Sequence, residues 1–570
     1  MTSDFNKALI AGVERVAAWS DVLDDINVFP VADGDTGRNL IASLTPLRYL
    51  EETQEDTIYS LLLSARGNSG NIAAQFFSGL LGADSYTGLA QAVASGREKA
   101  VLAVRKPVRG TMLTVLDNLV EFLNTHDFEN SVEYVDKVMD VLEASVRTTP
   151  ELLPTLKQAG VVDSGALGLY IFLEGFFRRL IGQHNGFRSI STMFQGLLEI
   201  APSYQAAEEE GFCIDTVIQQ GDKNQETIDR LVRHGESVVV IPHKDFLKVH
   251  LHTDSSREAK AQIESLGEVV HWEDDDLASQ IKDFKRQQQR GAVHIMTDAA
   301  GSVTREDARE LGITLLDSYI VAGEKSLPET LFSPEELYDT MLKGTRVSTS
   351  QASVFERHQY YQRVVNQYDH VLYLCVGSAF TGNYDVAVDW KAQNDPDDRL
   401  TIIDTGAASG RLGSIAIATA RQAAQSHDPQ EVVAFARKVV ASSWEYMCLD
   451  RLKYLAAGGR MPKAKAVFGE LLRVKPIVSP TAEGVIKVGT AKNRNGQLKF
   501  ALEKFEKAFD ENASPFVMLE YTNNHDWIDN VVRKEIEDRC PHAEIRLQPL
   551  SLTSAVHMGP GAWALAYIPS

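Results

Sequence analysis

Asn27-Val-Phe-Pro-Val-Ala-Asp33-Gly34-Asp35-Thr36-Gly37 sets two carboxylates on either side of a glycine, in a stretch read as a loop following an extended segment. Paired hard-oxygen donors suit Mg²⁺, which keeps part of its water shell and binds nucleotide phosphates with the rest. The same residues also fit a plain solvated Asp-Gly turn, so the surroundings must decide. From Asn6 to about Ile181 those surroundings carry apolar residues at three- and four-residue spacing, as in Gln75–Leu81 and Val132–Val146. The spacing predicts an all-α region over residues 1–200, interrupted by Gly-rich turns.

Three of those turns repeat the theme. Ser64-Ala-Arg-Gly67-Asn68-Ser69-Gly70-Asn71 and Lys106-Pro-Val-Arg-Gly110-Thr111-Met-Leu-Thr114 offer small residues whose backbone N–H groups can face a phosphate. The first precedes a helix, whose N-terminus attracts anions. Gly160-Val-Val-Asp163-Ser164-Gly165-Ala-Leu-Gly168 is the third. Each alone is also compatible with a glycine loop that only turns the chain.

Taken together, in this order and on a helical background, the four segments resemble the nucleotide-binding domain of the DhaL-type (dihydroxyacetone kinase L-type) family. They are more similar still to the kinase subunit of bacterial fatty-acid kinases. That resemblance implies an antiparallel helical barrel holding ATP and a pair of Mg²⁺ ions at one end. It implies Asp33 and Asp35 as metal ligands with a catalytic role, and Asn27, Thr36, Gly37, Asn68, Ser69, Gly70, Gly110, Thr111 and Asp163 as cofactor contacts. Ala32, where proline is common, and Arg38 depart from the family pattern, and both are expected to lie clear of the carboxylates.

After Pro202 the texture changes. Gly211–Gln219 and Val238–Thr253 carry alternating or continuous β-branched runs, separated by a helix-like stretch, Asn224–His234, which predicts a small α/β domain over residues 201–284. His250 and His252 stand at i and i+2 of a strand, hence on one face, and Cys213 on a neighbouring strand could complete a nitrogen and sulfur set for Zn²⁺. Two surface histidines and a buried thiol fit the same residues. The middle domain of the fatty-acid kinase family is similar here, with a cysteine and a His-x-His pair, and implies zinc in a structural or docking role. Asp254-Ser-Ser replaces the Asn-Asp-Pro usual after that pair.

Lys285–Gly291 reads as a linker. Beyond it, strands Val293–Thr297, Val371–Val376 and Leu400–Asp404 alternate with helices Pro334–Lys343 and Gly413–Ala424, the rhythm of a parallel α/β sheet. Thr297-Asp298-Ala299, Ser348-Thr349-Ser350-Gln351-Ala-Ser353, Gly377-Ser378-Ala-Phe-Thr381-Gly382 and His557-Met-Gly559-Pro-Gly561 are expected as hydroxyl-rich turns after strands and a histidine in a glycine setting. Such groups can donate hydrogen bonds to a carboxylate, and they are also ordinary loop composition.

With Gly458-Gly459-Arg460-Met and Leu472–Ile477 between them, these marks resemble the DegV family over residues 292–570. Members bind a fatty acid within a two-domain α/β fold, which implies Thr349, Ser350, Ser378, His557 and Gly559 around the carboxylate. Ala299, Ala352 and Phe380-Thr381 depart from the usual Ser, Pro and Leu-Ser, which is expected to alter chain-length preference rather than binding. Between Arg451 and Lys475 seven basic residues face one acid, Glu470. The stretch reads either as a solvated helix face or as a basic site in which Arg460 meets ATP phosphates or the acidic kinase surface.

Bulk properties narrow the classes. A chain of 570 residues calls for about three to five domains. A formal charge of −21 disfavours broad attraction to nucleic acid or an anionic membrane surface. The four dispersed cysteines argue against a disulfide framework. With no apolar run of about 18 residues and no basic-then-apolar start, a cytoplasmic location is expected.

A fatty-acid carboxylate is already ionised at neutral pH, so phosphoryl transfer to it needs positioning and charge neutralisation rather than a general base. The expectation is therefore an ATP-dependent kinase that converts a fatty acid held by the DegV half into an acyl phosphate. A homo-oligomer, an acyltransferase that uses the acyl phosphate and transient membrane contact complete the expected partners. The alternatives are a DhaL-type kinase of a small polyol or ketone with a lipid-sensing DegV half, and a lipid carrier with a degenerate kinase half. Asp33 and Asp35 argue against the last.

Overall fold

The computed structural model describes residues 3–50, 53–83, 86–104, 106–205, 211–219, 236–243, 246–278, 293–323, 325–457, 474–508 and 513–569. The chain divides into two compact units, Met1–Arg286 and Gln287–Ser570. Among the described residues no helix is long and apolar enough to cross a membrane. Asn224–His234 and the stretch Lys285–Gly291 lie outside the described residues.

The first unit opens with helices α1 (Ser3–Asp25), α2 (Thr36–Leu44), α3 (Gln54–Ser64), α4 (Gly67–Leu80), α5 (Leu89–Ala103), α6 (Met112–Thr125) and α7 (Val132–Arg147). Short helices α8 (Thr149–Leu152) and α9 (Pro154–Ala159) lead to α10 (Ser164–Leu180), and α11 (Ile190–Met193) follows. α10 is apolar nearly all round, as a core helix must be, and it lies against α1, α6 and α7. Its Glu174 is fully buried because Arg15 and Arg178 both pair with it.

The acid loop differs from expectation in what feeds it. Helix α1 runs to Asp25, and residues 26–35 form an irregular crossing to α2 rather than a strand-like lead-in. Ile26, Val28, Val31 and Ala32 are buried in the helical core, which pins this segment as a packed loop.

A four-stranded antiparallel sheet completes the unit: β1 (Phe212–Gln219), β2 (Glu236–Pro242), β3 (Phe246–Thr253) and β4 (Glu268–Asp276), in the order β2-β3-β1-β4. Alternation sorts its side chains. Ile214, Ile218, Leu247, Val249 and Leu251 pack on Ala259 and Ile263 of the helix Ser256–Glu264. Cys213, Asp215, Lys248, His250 and His252 alternate with them and therefore share the opposite face.

The second unit holds a parallel sheet of β5 (His294–Asp298), β6 (Ile313–Leu316), β10 (Val371–Cys375) and β11 (Leu400–Asp404), in the order β11-β10-β5-β6. Strands β7 (Tyr319–Ala322), β8 (Lys325–Pro328) and β9 (Val347–Ser350) form a small antiparallel sheet. The parallel rhythm ends there. β12 (Trp444–Cys448), β13 (Lys475–Thr481), β14 (Gly484–Ala491), β15 (Phe516–Tyr521), β16 (Glu544–Pro549) and β17 (Trp563–Ile568) make a six-stranded sheet in which only β15 and β16 pair in parallel.

Candidate functional site

The start of α2 is built to carry the acid loop. Asp24 Oδ1 accepts the N–H groups of Gly37 (2.6 Å) and Arg38 (3.2 Å), meeting donors that a helix N-terminus leaves unpaired. Gly37 must lack a side chain, because a Cβ there would lie 2.1 Å from Ser20 O of α1. Asp33 and Asp35 are 8% and 9% exposed. Asn27 Nδ2 donates to Asp33 Oδ1 at 2.5 Å, and Asn27 Oδ1 accepts from Ser164 Oγ at 3.3 Å. Burial and then the neighbouring Asp35 charge push the Asp33 carboxyl well above the usual carboxylate range.

Arg38 does not stand apart as expected. Its Nε lies 3.4 Å from Asp24 Oδ2 and its guanidinium donates to Gly34 O. Burial would lower its pKa, but Asp24, Asp35, Asp33 and Asp275 raise it. The first turn of α2 folds this side chain back over the loop, where it faces Asp24, Asp33, Asp35 and Asp275, with Arg66 as a second cation toward Asp275. That excess of buried oxygen donors over cations fits a divalent ion such as Mg²⁺ at Asp33 and Asp35.

The four loops of the helical region meet here. A side chain on Gly165 would begin 3.1 Å from Ser69 Oγ, 3.4 Å from Asp163 Oδ1 and 3.5 Å from Met112 Cε, so the second, third and fourth loops converge on the start of α10. Ser164 then ties that point to Asn27 of the first. Asp163 accepts from Ala166 N at 2.7 Å and also from the Met112 N–H, capping α10 and α6 at once. Burial pushes its carboxyl up to about 7. Thr36 and Asn68 lie in the first turns of α2 and α4. Gly70 is packed against Ser43 of α2. Gly110 and Thr111 are bonded locally within their own loop: the Gly110 N–H donates to Thr114 Oγ1 (2.8 Å) and Thr111 Oγ1 to Val108 O (2.9 Å).

The sheet supplies a second cluster. Across β4, β1 and β3 the register aligns Asp275, Cys213 and His252 in one row and Glu273, Asp215 and His250 in the next. One donor atom each of Cys213, His250 and His252 lies within 4.8 Å of the others. His250 Nδ1 contacts Asp215 Oδ2 at 3.1 Å and lies 3.9 Å from Cys213 Sγ, while its Nε2 is buried with no hydrogen-bond partner among the described residues. Burial and the His250 charge lower His252 to about 3, which keeps that imidazole neutral. An orphaned Nε2, a neutral imidazole and a thiol form a donor set that fits Zn²⁺.

Asp215 was not singled out from the sequence. Although burial opposes it, His250 and Lys248 hold its carboxyl well below the usual range. It also accepts from Gly67 N of α4 at 2.9 Å and Asn71 Nδ2 at 3.3 Å, while Arg66 pairs with Glu273 at 2.5 Å. The polar sheet face therefore closes against the second loop, and Asp275 and Cys213 both feel the Asp35 charge. The signal for Asp215 was the i, i+2 repeat Cys213-Ile-Asp215, which mirrors His250-Leu-His252 one strand away.

In the second unit Thr349 of β9 and His557 of the helix Leu552–Met558 approach each other, Oγ1 to Nε2 at 3.4 Å. Ser348, Thr349 and Ser350 stand within β9 rather than in a turn after it, and Ser350 Oγ donates to Gln351 O at 3.2 Å. Ser378 Oγ donates to Asp404 Oδ2 at 2.5 Å. Gly559 ends the helix, its N–H donating to Ala555 O at 2.7 Å. Arg460 lies outside the described residues. A cavity of about 940 Å³ opens among Tyr338, Tyr454, Tyr521 and Trp527, but Thr349, Ser378 and His557 do not line it.

Comparison with known proteins gives three family matches in one chain: the DAK2 domain over residues 30–178, the FakA-like middle domain of fatty acid kinases over 209–284, and the DegV family over 292–570. An uncharacterized protein of Staphylococcus saprophyticus is 28% identical over 327 residues, covering 52% of this chain and 59% of that one. One from Staphylococcus aureus is 28% identical over 366 residues, covering 57% and 65%. The match thus spans less than two thirds of these curated relatives. A DegV family protein of Thermus thermophilus, described as fatty acid binding, is 22% identical with a TM-score of 0.46, covering 49% of this chain and 99% of that one. DegV of Bacillus subtilis, described as a fatty acid binding protein, is 18% identical with a TM-score of 0.45, covering 49% and 100%. This chain joins a DAK2 domain, a FakA-like middle domain and a DegV family domain in a single polypeptide.

Proposed function

We propose that this chain is an ATP-dependent kinase that phosphorylates a fatty acid held by its DegV domain, giving an acyl phosphate. One observation carries the reading: the Asp33 and Asp35 pair sits where the loops bearing Asn27, Ser69 and Asp163 converge, in the same polypeptide as the Thr349 and His557 pair.

Asp33 and Asp35 would hold Mg²⁺, which when bound supplies charge neutralisation to the transferring phosphoryl group. Asn27 orients Asp33, and Asp24 secures the helix start behind the loop. Arg38 balances part of the carboxylate charge. Thr349 and His557 would donate to the fatty-acid carboxylate, and Ser350, Ser378 and Gly559 are the further residues assigned to it; because that carboxylate is already ionised at neutral pH, no proton need be removed from the nucleophile. Cys213, His250 and His252 would hold a structural Zn²⁺. Joining both domains in one chain makes the encounter intramolecular, at an effective concentration of the order of millimolar where the connection spans the distance. An acyltransferase that consumes acyl phosphates would take the product.

A second reading, phosphorylation of a small polyol or ketone with the DegV domain as lipid sensor, draws on Asp163. A carboxyl pushed up to about 7 can accept a proton from a hydroxyl nucleophile. The experiment that separates the two is addition of ATP and Mg²⁺ to the lipid-loaded protein in hydroxylamine. The fatty hydroxamate is the expected product. ATP turnover with the fatty acid unchanged would overturn the first reading in favour of the second.

A further inference from the structure

We propose that Asp215 makes the nucleotide loop responsive to metal occupancy of the sheet, so that zinc at Cys213, His250 and His252 sets the nucleotide affinity of the helical domain. The inference rests on the nucleotide and zinc readings above and concerns the regulation of that site.

The geometry is a shared acceptor. Asp215 Oδ2 meets His250 Nδ1 at 3.1 Å on the sheet side and accepts the Gly67 N–H at 2.9 Å on the helical side. Its Oδ1 accepts from Asn71 Nδ2 at 3.3 Å and lies 3.5 Å from Lys248 Nζ. Gly67 opens α4, and the side chain of Arg66 before it makes no cap, so Asp215 caps that helix from another part of the chain. Asn68, Ser69 and Gly70, which follow Gly67 in the first turn of α4, are the residues read as phosphate or nucleotide contacts. Gly67 adopts φ +59°, a left-handed conformation that lets the loop bend toward Asp215.

A metal-bound imidazole commonly donates its other ring N–H to a carboxylate, and metal coordination makes that N–H a stronger donor. A metal held at His250 Nε2, which has no hydrogen-bond partner among the described residues, would therefore strengthen the demand of Nδ1 on Asp215 Oδ2. Gly67 competes for the same oxygen. Occupancy of the sheet cluster shifts how firmly Asp215 holds the first N–H of α4, and hence how available that helix start is to a phosphate anion. Coupling between sites is reciprocal, so nucleotide must change zinc affinity by the same factor.

The test uses the full chain. Affinity for a fluorescent non-hydrolysable ATP analogue with Mg²⁺ is measured on zinc-loaded and chelator-stripped protein, for wild type, Asp215→Asn and Asp215→Glu, with zinc content determined in parallel. Wild type is expected to differ between the two states by at least about five-fold. Asp215→Asn should retain zinc yet differ by less than about two-fold, and Asp215→Glu should restore much of the difference. A wild-type difference preserved in Asp215→Asn overturns the coupling alone. Wild type that holds no zinc overturns the zinc reading with it, and zinc-loaded wild type that binds no nucleotide overturns the nucleotide reading with it. Should Asp215→Asn fail to fold, chelator competition on wild type decides: zinc affinity unchanged by the analogue overturns the proposal.

Discussion

Asn27 Nδ2 donates to Asp33 Oδ1 while Asn27 Oδ1 accepts from Ser164 Oγ, so one amide spans the acid loop and the start of α10. On the proposed reading, such a group orients Asp33 as a metal ligand without itself binding the metal. Asn27→Ala is expected to lower phosphoryl transfer by about 10- to 100-fold, with fatty-acid binding unchanged, as read by hydroxamate formation and by mass spectrometry of bound lipid. Unchanged transfer would remove Asn27 from the site.

Asp35→Ala removes a carboxylate from a nearly buried acid pair. Metal-ion charge stabilisation is worth several kcal/mol, so transfer should fall by more than about a hundred-fold. Lipid should still copurify, because on the proposed reading the other unit holds it. Persistent transfer would show that the metal sits elsewhere.

His557→Ala breaks the 3.4 Å approach to Thr349. Loss of a hydrogen bond to a charged group costs about 1.5–3 kcal/mol, and fatty-acid affinity should weaken by about ten-fold or more with nucleotide affinity unchanged. Competition with a fluorescent fatty acid reads the first and analogue binding the second. A loss of nucleotide affinity alone would overturn the division of labour between the two units.

Glu445 and Glu520 form a buried acid pair in the second unit, Glu520 accepting from Ser302 Oγ (2.6 Å) and Ser409 Oγ (2.9 Å). Burial raises both, Glu445 well above its ordinary 4.5 with the Glu520 charge adding to the rise. An acid raised in the folded state leaves stability untouched below the unfolded pKa and erodes it as pH climbs toward the folded value. Glu445→Gln removes that penalty. Its Tm advantage over wild type should be absent near pH 4.5 and grow toward pH 8, by roughly 2–4 °C for each kcal/mol relieved. An advantage that does not vary with pH would mean the pair is not protonated on folding.

Much of this was legible locally. Strand Leu400–Asp404 matches its predicted bounds, and helix Pro334–Leu342 stops one residue short of them, because apolar spacing and flanking turns report on neighbours a few residues away. The shared face of His250 and His252 follows from strand alternation alone. The helix-like reading of Asn224–His234 and the role given to Arg460 fall outside the described residues.

By itself the sequence determined which residues could bear the chemistry: two carboxylates around Gly34, a Cys and a His-x-His pair, the hydroxyls of Ser348, Thr349 and Ser350 and a histidine before Gly559. Tertiary structure alone decided what each one faces. It turned Asp163 into the cap of two helices, brought Arg38 over the carboxylates, set Asp215 between His250 and Gly67, and tied Ser378 to Asp404. It also made the last sheet mostly antiparallel. Periodicity is a property of adjacent residues, whereas Gly67 and Asp215 stand 148 positions apart and meet only because burial of the apolar faces beneath them fixes where the polar ones point.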